Sequence, residues 1–185
     1  MKTLKSLVLL LMIAAALGLG WLYGGGFNAA ADAPHSKPVY WLFATARTQS
    51  IKVRASGISV PPLDDPQKIA AGAAEYSEMC EGCHLAPGKK ADEDFLGGLY
   101  PRPPQLTKPV NANAAELFWI VKHGIKMSAM PAWGLSHDDA TLWNIVAFVQ
   151  KLPTLNAEQY AALTAHAAET HAGEHAADAH GDHSD

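Results

Sequence analysis

The first apolar pattern along the chain is an unbroken run of 16 residues from Leu7 to Leu22. Extended to Phe27, this run approaches the length that crosses the ~30 Å hydrocarbon core of a bilayer at ~1.5 Å per residue. Lys2 and Lys5 precede it, and a basic flank predicts a cytoplasmic N-terminus and an exported remainder. We therefore expect residues 1–27 to be a signal anchor that forms a transmembrane helix. A signal peptide cleaved at the small residues 29–31 is the alternative.

An aromatic cluster, residues 40–43, opens the segment that follows the anchor, and basic residues come after it. This pattern fits a helix that lies at the membrane surface, or equally a short helix packed on the next domain. Prolines at positions 61, 62 and 66 interrupt the helical pattern and mark a boundary. We assign residues 28–62 to a juxtamembrane segment.

Helical periodicity dominates residues 63–153, which we expect to form the folded domain. A first helix is predicted from Asp65 to Glu81, with Asp65 as its cap and Pro66 at its first position. Asn113 and Glu116 have the spacing of a capping box, which predicts the start of a middle helix that Gly124 ends. The long segment between these two helices, from Leu85 to Thr107, is rich in glycine and proline and is predicted to be a loop.

A last helix carries the clearest apolar stripe, and its members recur at spacings of three and four: Leu142, Ile145, Val146, Val149 and Leu152. Ser136 is the expected cap of this helix and Pro153 its expected end. No strand pattern appears, so the predicted fold class is all-α.

Apolar bulk declines after Leu155, and residues 154–185 are predicted to be a disordered, histidine-rich tail. We expect a frayed helix there at most, with no sequence feature that ties the tail to the folded domain. Histidine-rich tracts often bind metals, so weak binding of divalent copper, nickel or zinc is one expectation and an inert solubilising extension the other. The five histidines concerned are His166, His171, His175, His180 and His183.

The charge balance argues against a nucleic-acid partner. The net charge is −4, and setting aside Lys2 and Lys5 leaves 12 basic residues against 18 acidic ones. Binding to a phosphate backbone requires a basic face. We therefore expect protein and membrane partners, and no nucleic acid.

The only two cysteines, Cys80 and Cys83, are followed directly by His84. CxxCH is the attachment sequence of c-type haem, because thiols three residues apart on a helical turn can both form thioethers with one haem. The histidine that follows then projects its imidazole towards the iron. A redox dithiol would lie near a βαβ pattern, which is absent, and a structural zinc site would need more ligands. The motif therefore predicts one covalently attached haem c.

Three residues are candidates for the second axial ligand of the iron. Met127 and Met130 are both near enough in sequence, and His123 is a third candidate at the end of the middle helix. A methionine is usually core filler and a histidine in the last helical turn usually interacts with the helix dipole, so the residues alone leave the choice open.

Between Pro66 and Leu152 the chain resembles the class I c-type cytochromes of the small bacterial mono-haem type. The resemblance rests on the Cys80–His84 motif, the prolines before Leu106, the sequence Met130-Pro-Ala-Trp and the order of the helices. A looser resemblance to membrane-anchored proteobacterial cytochromes covers the junction at 28–35 and the segment 40–61.

This resemblance implies a class I cytochrome c fold, with His84 and Met130 as the axial ligands of the haem iron. It also implies that the carbonyl of Pro104 accepts the Nδ1–H of His84. Gly72 and Tyr76 would lie where the first helix crosses the last, with Ile145 and Phe148 as partners. Three further residues are expected either at haem edges or propionates, or in ordinary packing: Arg102, Trp119 and Trp133.

We therefore expect a mono-haem carrier of single electrons, not an enzyme, in a periplasmic or respiratory chain. Its haem domain should lie in the periplasm, anchored to the inner membrane, where it exchanges electrons with redox proteins. One alternative is a cytochrome subunit of a dehydrogenase or oxidase complex. Another is a haem-based catalyst or sensor, which would need Met130 displaced to open a coordination site.

Overall fold

The computed structural model of the chain describes residues 2–165, and within them every regular element is helical. The all-α expectation is confirmed for this part of the chain. The chain divides into two compact units at the junction between His35 and Ser36, and each unit is described by itself.

The first unit contains one long helix, α1 (Lys2–Tyr23), none of whose residues is buried. Its 22 residues extend over about 33 Å, enough to cross a bilayer. The helix is long and apolar enough to cross a membrane, but a cleaved signal sequence near an N-terminus has the same length and composition. It is therefore compatible with the expected transmembrane anchor.

The second unit begins with α2 (Lys37–Ala55), which packs on α6 (Ala114–His123). Ile51 and Ala55, in the last two turns of α2, are buried. The end of α2 thus packs on the folded domain, which is one of the two arrangements expected for this segment. The aromatic residues in the first turns of α2 are exposed.

The core forms where α3 (Pro66–Met79) crosses α7 (Asp139–Lys151). A Cβ on Gly72 would lie 1.9 Å from the Asn144 carbonyl oxygen, so only glycine permits this approach of the two backbones. Next to it, the rings of Tyr76 and Phe148 pack with their centroids 5.2 Å apart. Asp65 caps α3 by accepting the Gln67 amide at 2.9 Å, with Pro66 at the first position, as the sequence predicts.

Two short helices interrupt the region between α3 and α6. The first, α4 (Glu81–His84), carries the end of the CxxCH motif, and the second is α5 (Glu93–Leu96). The expectation of a continuous loop from Leu85 to Thr107 was wrong for α5, because Asp92 caps this turn and Leu96 is buried.

The middle helix α6 begins and ends as the sequence predicts. Asn113 and Glu116 form a reciprocal capping box at its start. Gly124 ends it with a φ of +64°, in the left-handed region that glycine tolerates.

Ser136 does not cap the last helix, contrary to expectation. It ends a short 3₁₀ turn, Trp133–Leu135, while the α7 cap is Asp138, whose carboxylate accepts the Thr141 amide at 2.8 Å. Because Ser136 terminates this 3₁₀ turn, the N-cap of α7 falls two residues later, at Asp138. A second 3₁₀ turn, Leu152–Thr154, contains Pro153 and follows α7.

The folded domain continues past its expected boundary at Pro153. Residues 157–165 are helical, Tyr160 belongs to the buried core, and Leu155 and Leu163 pack against that core. The expectation that nothing after Leu155 is tied to the domain was therefore wrong for these residues, because spaced apolar side chains anchor an otherwise alanine-rich helix. The five tail histidines lie outside the described residues.

Candidate haem-binding site

The CxxCH motif lies at the junction of α3 and α4. Cys80 ends α3, with its amide donating to the Tyr76 carbonyl, and the His84 amide donates to the Cys80 carbonyl at 2.9 Å. The Cys80 side chain is buried and that of Cys83 half-buried, and neither thiol is in a disulfide. Burial, with smaller contributions from Glu75 and Cys83, raises the pKa of the Cys80 thiol to about 12. The helical turn thus holds two free thiols three residues apart.

Residues 104–106 hold His84 in place from two sides. Its Nδ1 lies 2.8 Å from the Pro104 carbonyl oxygen, and its own carbonyl accepts the Leu106 amide at 3.0 Å. Because a carbonyl only accepts, Nδ1 carries the proton and Nε2 is left as the ring nitrogen that can bind a metal. Burial lowers the pKa of His84, and the bond to Pro104 opposes this shift only in part. The imidazole is therefore in its neutral, metal-binding form at neutral pH.

A hydrogen-bonded loop separates the two candidate methionines. The Ile125 amide donates to the Met130 carbonyl at 3.2 Å, and Ser128 Oγ joins the two sides by accepting the Met130 amide and donating to the Ile125 carbonyl. Met127 lies at the tip of this loop with a φ of +59°, and 82% of it is exposed. Met130, at the base, is half-buried. Of the two methionines, Met130 is therefore the one whose side chain is partly shielded from solvent.

Gly124 explains how the base of this loop can pass so close to the end of α6. A Cβ on Gly124 would lie 2.6 Å from the carbonyl carbon of Pro131 and 2.7 Å from the carbonyl oxygen of Met130. The sequence identifies Gly124 as a helix end, but this second requirement appears only in the structure. Gly124 thereby positions the Met130–Pro131 segment.

Residues 157–165, here called the C-terminal helical segment, contact the haem motif, which the sequence did not predict. Tyr160 donates a hydrogen bond to Glu81, the residue after Cys80, and Lys89 forms an ion pair with the same carboxylate. Tyr76 Oη donates to the Leu85 carbonyl at 2.6 Å from the other side. The one available signal was Tyr160 itself, the only aromatic residue after Phe148.

Other candidates lie in ordinary protein contacts. Arg102 pairs with Glu93 at 2.7 Å on the surface. His123 is exposed and packs beside Trp119, with ring centroids 4.9 Å apart. Trp133 is half-buried against the core and packs edge-on to His137.

The donor set fits a haem c. Two thiols on one helical turn match two thioether bonds, and the adjacent imidazole has Nε2 available because Nδ1 is bonded to Pro104. A half-buried methionine in the hydrogen-bonded loop would provide the soft, neutral donor that class I cytochromes use together with histidine.

Residues 67–149 match the family model described as "Cytochrome C oxidase, cbb3-type, subunit III". Searches of curated proteins and of solved structures found no match. The family match covers the helices of the core, the CxxCH motif and the Met130 loop. It agrees with the resemblance inferred from the sequence motifs alone. Residues 67–149 therefore form a class I c-type cytochrome domain, which implies covalently bound haem c and haem-based electron transfer.

Proposed function

We propose that this chain is a mono-haem carrier of single electrons, anchored in the inner membrane with its haem domain in the periplasm. The observation that carries the proposal is the hydrogen bond between His84 Nδ1 and the Pro104 carbonyl, directly after the Cys80/Cys83 pair. Such a bond fixes the orientation of a ligating imidazole and raises its basicity.

Each residue of the site has a separate part in this function. The bound haem supplies a reversible one-electron change at its iron. Cys80 and Cys83 would hold it covalently, and His84 and Met130 would bind its iron. A methionine ligand raises the reduction potential and would fill the coordination position that an enzyme needs for substrate. The protein is therefore proposed to be a carrier and not an enzyme.

The proposed organisation follows the sequence boundaries with one revision. Residues 1–27 anchor the chain and residues 28–62 connect the anchor to the haem domain. The haem domain begins at residue 63 and runs beyond 153 to include the helical segment that contains Tyr160. The basic residues at the start of α1, Lys2 and Lys5, support an exported haem domain.

A redox titration of the purified full-length protein tests the carrier function. We expect one haem per chain, a one-electron Nernst curve and no carbon monoxide adduct of the reduced protein at neutral pH. Rapid binding of carbon monoxide would instead indicate an open coordination site and favour the catalyst or sensor alternative.

The description of the matching family model favours a second candidate, a cytochrome subunit of an oxidase complex. Purification from membranes in a mild detergent distinguishes the two. A carrier should elute largely alone and reduce or oxidise a separate partner. A subunit should co-purify with the other chains of its complex in fixed stoichiometry.

Weak binding of divalent metals by the C-terminal histidines is a separate proposal, supported by five histidines within 18 residues. Calorimetric titration with zinc should show binding to the full chain and none to a chain that ends at Ala165. Binding should weaken as pH falls through about 6.5, where imidazole protonates. Equal binding by both chains would contradict this role of the tail.

A further inference from the structure

Glu81 is the one acidic residue inside the CxxCH motif, and the fold shields its carboxylate from water. It directly follows Cys80 and precedes Cys83 by two residues. Only 15% of its side chain is exposed, whereas Glu78, three residues earlier, is exposed. A charge that is taken out of water is costly unless it is paired and hydrogen-bonded, so the partners of Glu81 decide whether it can stay there.

Both partners of Glu81 come from outside the motif, and each approaches a different carboxylate oxygen. Tyr160 donates a hydrogen bond from its hydroxyl to one oxygen, and the Lys89 ammonium pairs with the other. Burial, and after it the hydrogen bond to Glu81, raises the pKa of the Tyr160 hydroxyl, so this group stays protonated and remains a donor. An ammonium has no acceptor atom, so the group that Lys89 pairs with is the ionised carboxylate.

The C-terminal helical segment is fixed beside Glu81 by its own packing. Tyr160 is buried, and the centroid of its ring lies 6.1 Å from that of Phe148 in α7. The segment also meets the chain next to Lys89, where a Cβ on Gly88 would lie 2.8 Å from the Cβ of Ala157. Core packing therefore fixes the Tyr160 hydroxyl, and the hydroxyl in turn fixes the carboxylate.

A fixed negative charge at this place acts on the redox equilibrium of a haem attached to Cys80 and Cys83. A ferric haem carries one more positive charge than a ferrous one, so a nearby carboxylate stabilises the ferric form and lowers the reduction potential. A carboxylate turned into water would act much less, because solvent and salt screen exposed charges. The effect of Glu81 therefore depends on the partners that keep it out of water.

We propose that Glu81 lowers the reduction potential of the haem and that Tyr160 is the positioning residue that keeps its carboxylate beside the attachment turn. Glu81 thus opposes the rise in potential that a methionine ligand gives, and Lys89 offsets part of its charge. The C-terminal helical segment thereby sets how readily the carrier accepts an electron. The inference rests on the proposed function, in which Cys80 and Cys83 hold the haem.

Spectroelectrochemical titration of the full-length holoprotein in detergent tests the proposal. Glu81→Gln removes the charge and keeps the shape of the side chain, and Glu78→Gln is the matched control at an exposed position. We expect Glu81→Gln to raise the equilibrium constant for electron uptake about threefold or more, or about 28 mV at 59 mV per tenfold change. Glu78→Gln should shift the potential by less than half as much. High salt should remove the effect of Glu78→Gln and leave most of that of Glu81→Gln.

Three further variants test the partners of Glu81. Tyr160→Phe keeps the packed ring and removes the hydroxyl, so it should raise the potential less than Glu81→Gln does. Combined with Glu81→Gln it should give no further rise, because no charge is left to position. Lys89→Gln should lower the potential, and Lys90→Gln, at the exposed neighbouring lysine, should change it less.

Equal potentials for Glu81→Gln and Glu78→Gln would overturn the proposal. A shift by Tyr160→Phe that persists in the Glu81→Gln background would overturn the role of Tyr160, because a loosened fold would act in both backgrounds. Loss of haem from the denatured wild-type polypeptide would instead overturn the covalent attachment in the proposed function, which separates the two failures.

Discussion

Gly72 and Asn144 bring the two main helices of the haem domain into backbone contact, since a Cβ on Gly72 would lie 1.9 Å from the Asn144 carbonyl oxygen. Gly72→Ala should therefore force α3 away from α7 and destabilise the fold by about 1–3 kcal/mol or more. Thermal unfolding of the holoprotein in detergent measures this loss. Gly57→Ala is the matched control, because a Cβ there meets nothing within 4 Å. Equal melting temperatures for the two variants would contradict the close crossing.

Tyr160 connects the C-terminal helical segment to the haem motif through its packing on Phe148 and its hydrogen bond to Glu81. Tyr160→Ala should lower the free energy of unfolding by about 3 kcal/mol or more, as expected for the loss of a buried aromatic side chain. The exposed neighbour Glu158→Ala provides the control. Denaturant titration followed at the haem absorption band compares the two. A Tyr160 variant as stable as the control would contradict this account and indicate that the folded domain ends at Pro153.

Substitutions of Asp138 and Ser136 test which of the two residues caps the start of α7. Since Asp138 accepts the Thr141 amide, Asp138→Ala should lower the melting temperature clearly, while Ser136→Ala should change it little. The hydrogen bonds from Thr141 hold the pKa of the Asp138 carboxyl below its usual value. The opposite order of the two variants would make Ser136 the cap.

The same cap predicts a pH dependence. Because the folded-state pKa of Asp138 is lowered, its contribution is fully present above the unfolded pKa of about 3.9 and is lost as pH falls through the lower folded value. The wild type should therefore melt above Asp138→Asn at neutral pH, and the difference should shrink below about pH 4. A difference that stays constant with pH would show that the charge plays no part.

Arg102 pairs with Glu93 on the surface, which argues against a contact with a haem propionate. Arg102→Gln should leave the reduction potential and the visible spectrum essentially unchanged. Spectroelectrochemical titration of the variant and the wild type measures both. A marked fall in the potential would place Arg102 at the haem instead.

Local chemistry explains which parts of this structure could be predicted from the sequence. Asp65, the Asn113/Glu116 box and the CxxCH motif depend on neighbours within a few residues, so their spacing carried the information. The start of α7 was harder, because Ser136 and Asp138 are both good caps and the preceding 3₁₀ turn decides between them. The contact of Tyr160 with the haem motif was not predicted, because it depends on a hydrogen bond to Glu81, a residue 79 positions away. The closeness of Gly124 to Pro131 is likewise visible only in three dimensions.

The pairing of His84 with Met130 is the central claim, and the near-infrared spectrum of the oxidised full-length protein tests it most directly. Sulfur–iron ligation gives a weak charge-transfer band, which Met130→Ala should abolish while it also lowers the reduction potential. Met127→Ala is the matched control and should keep both, because Met127 lies exposed at the tip of the loop. Loss of the band in Met127→Ala and its persistence in Met130→Ala would contradict the account.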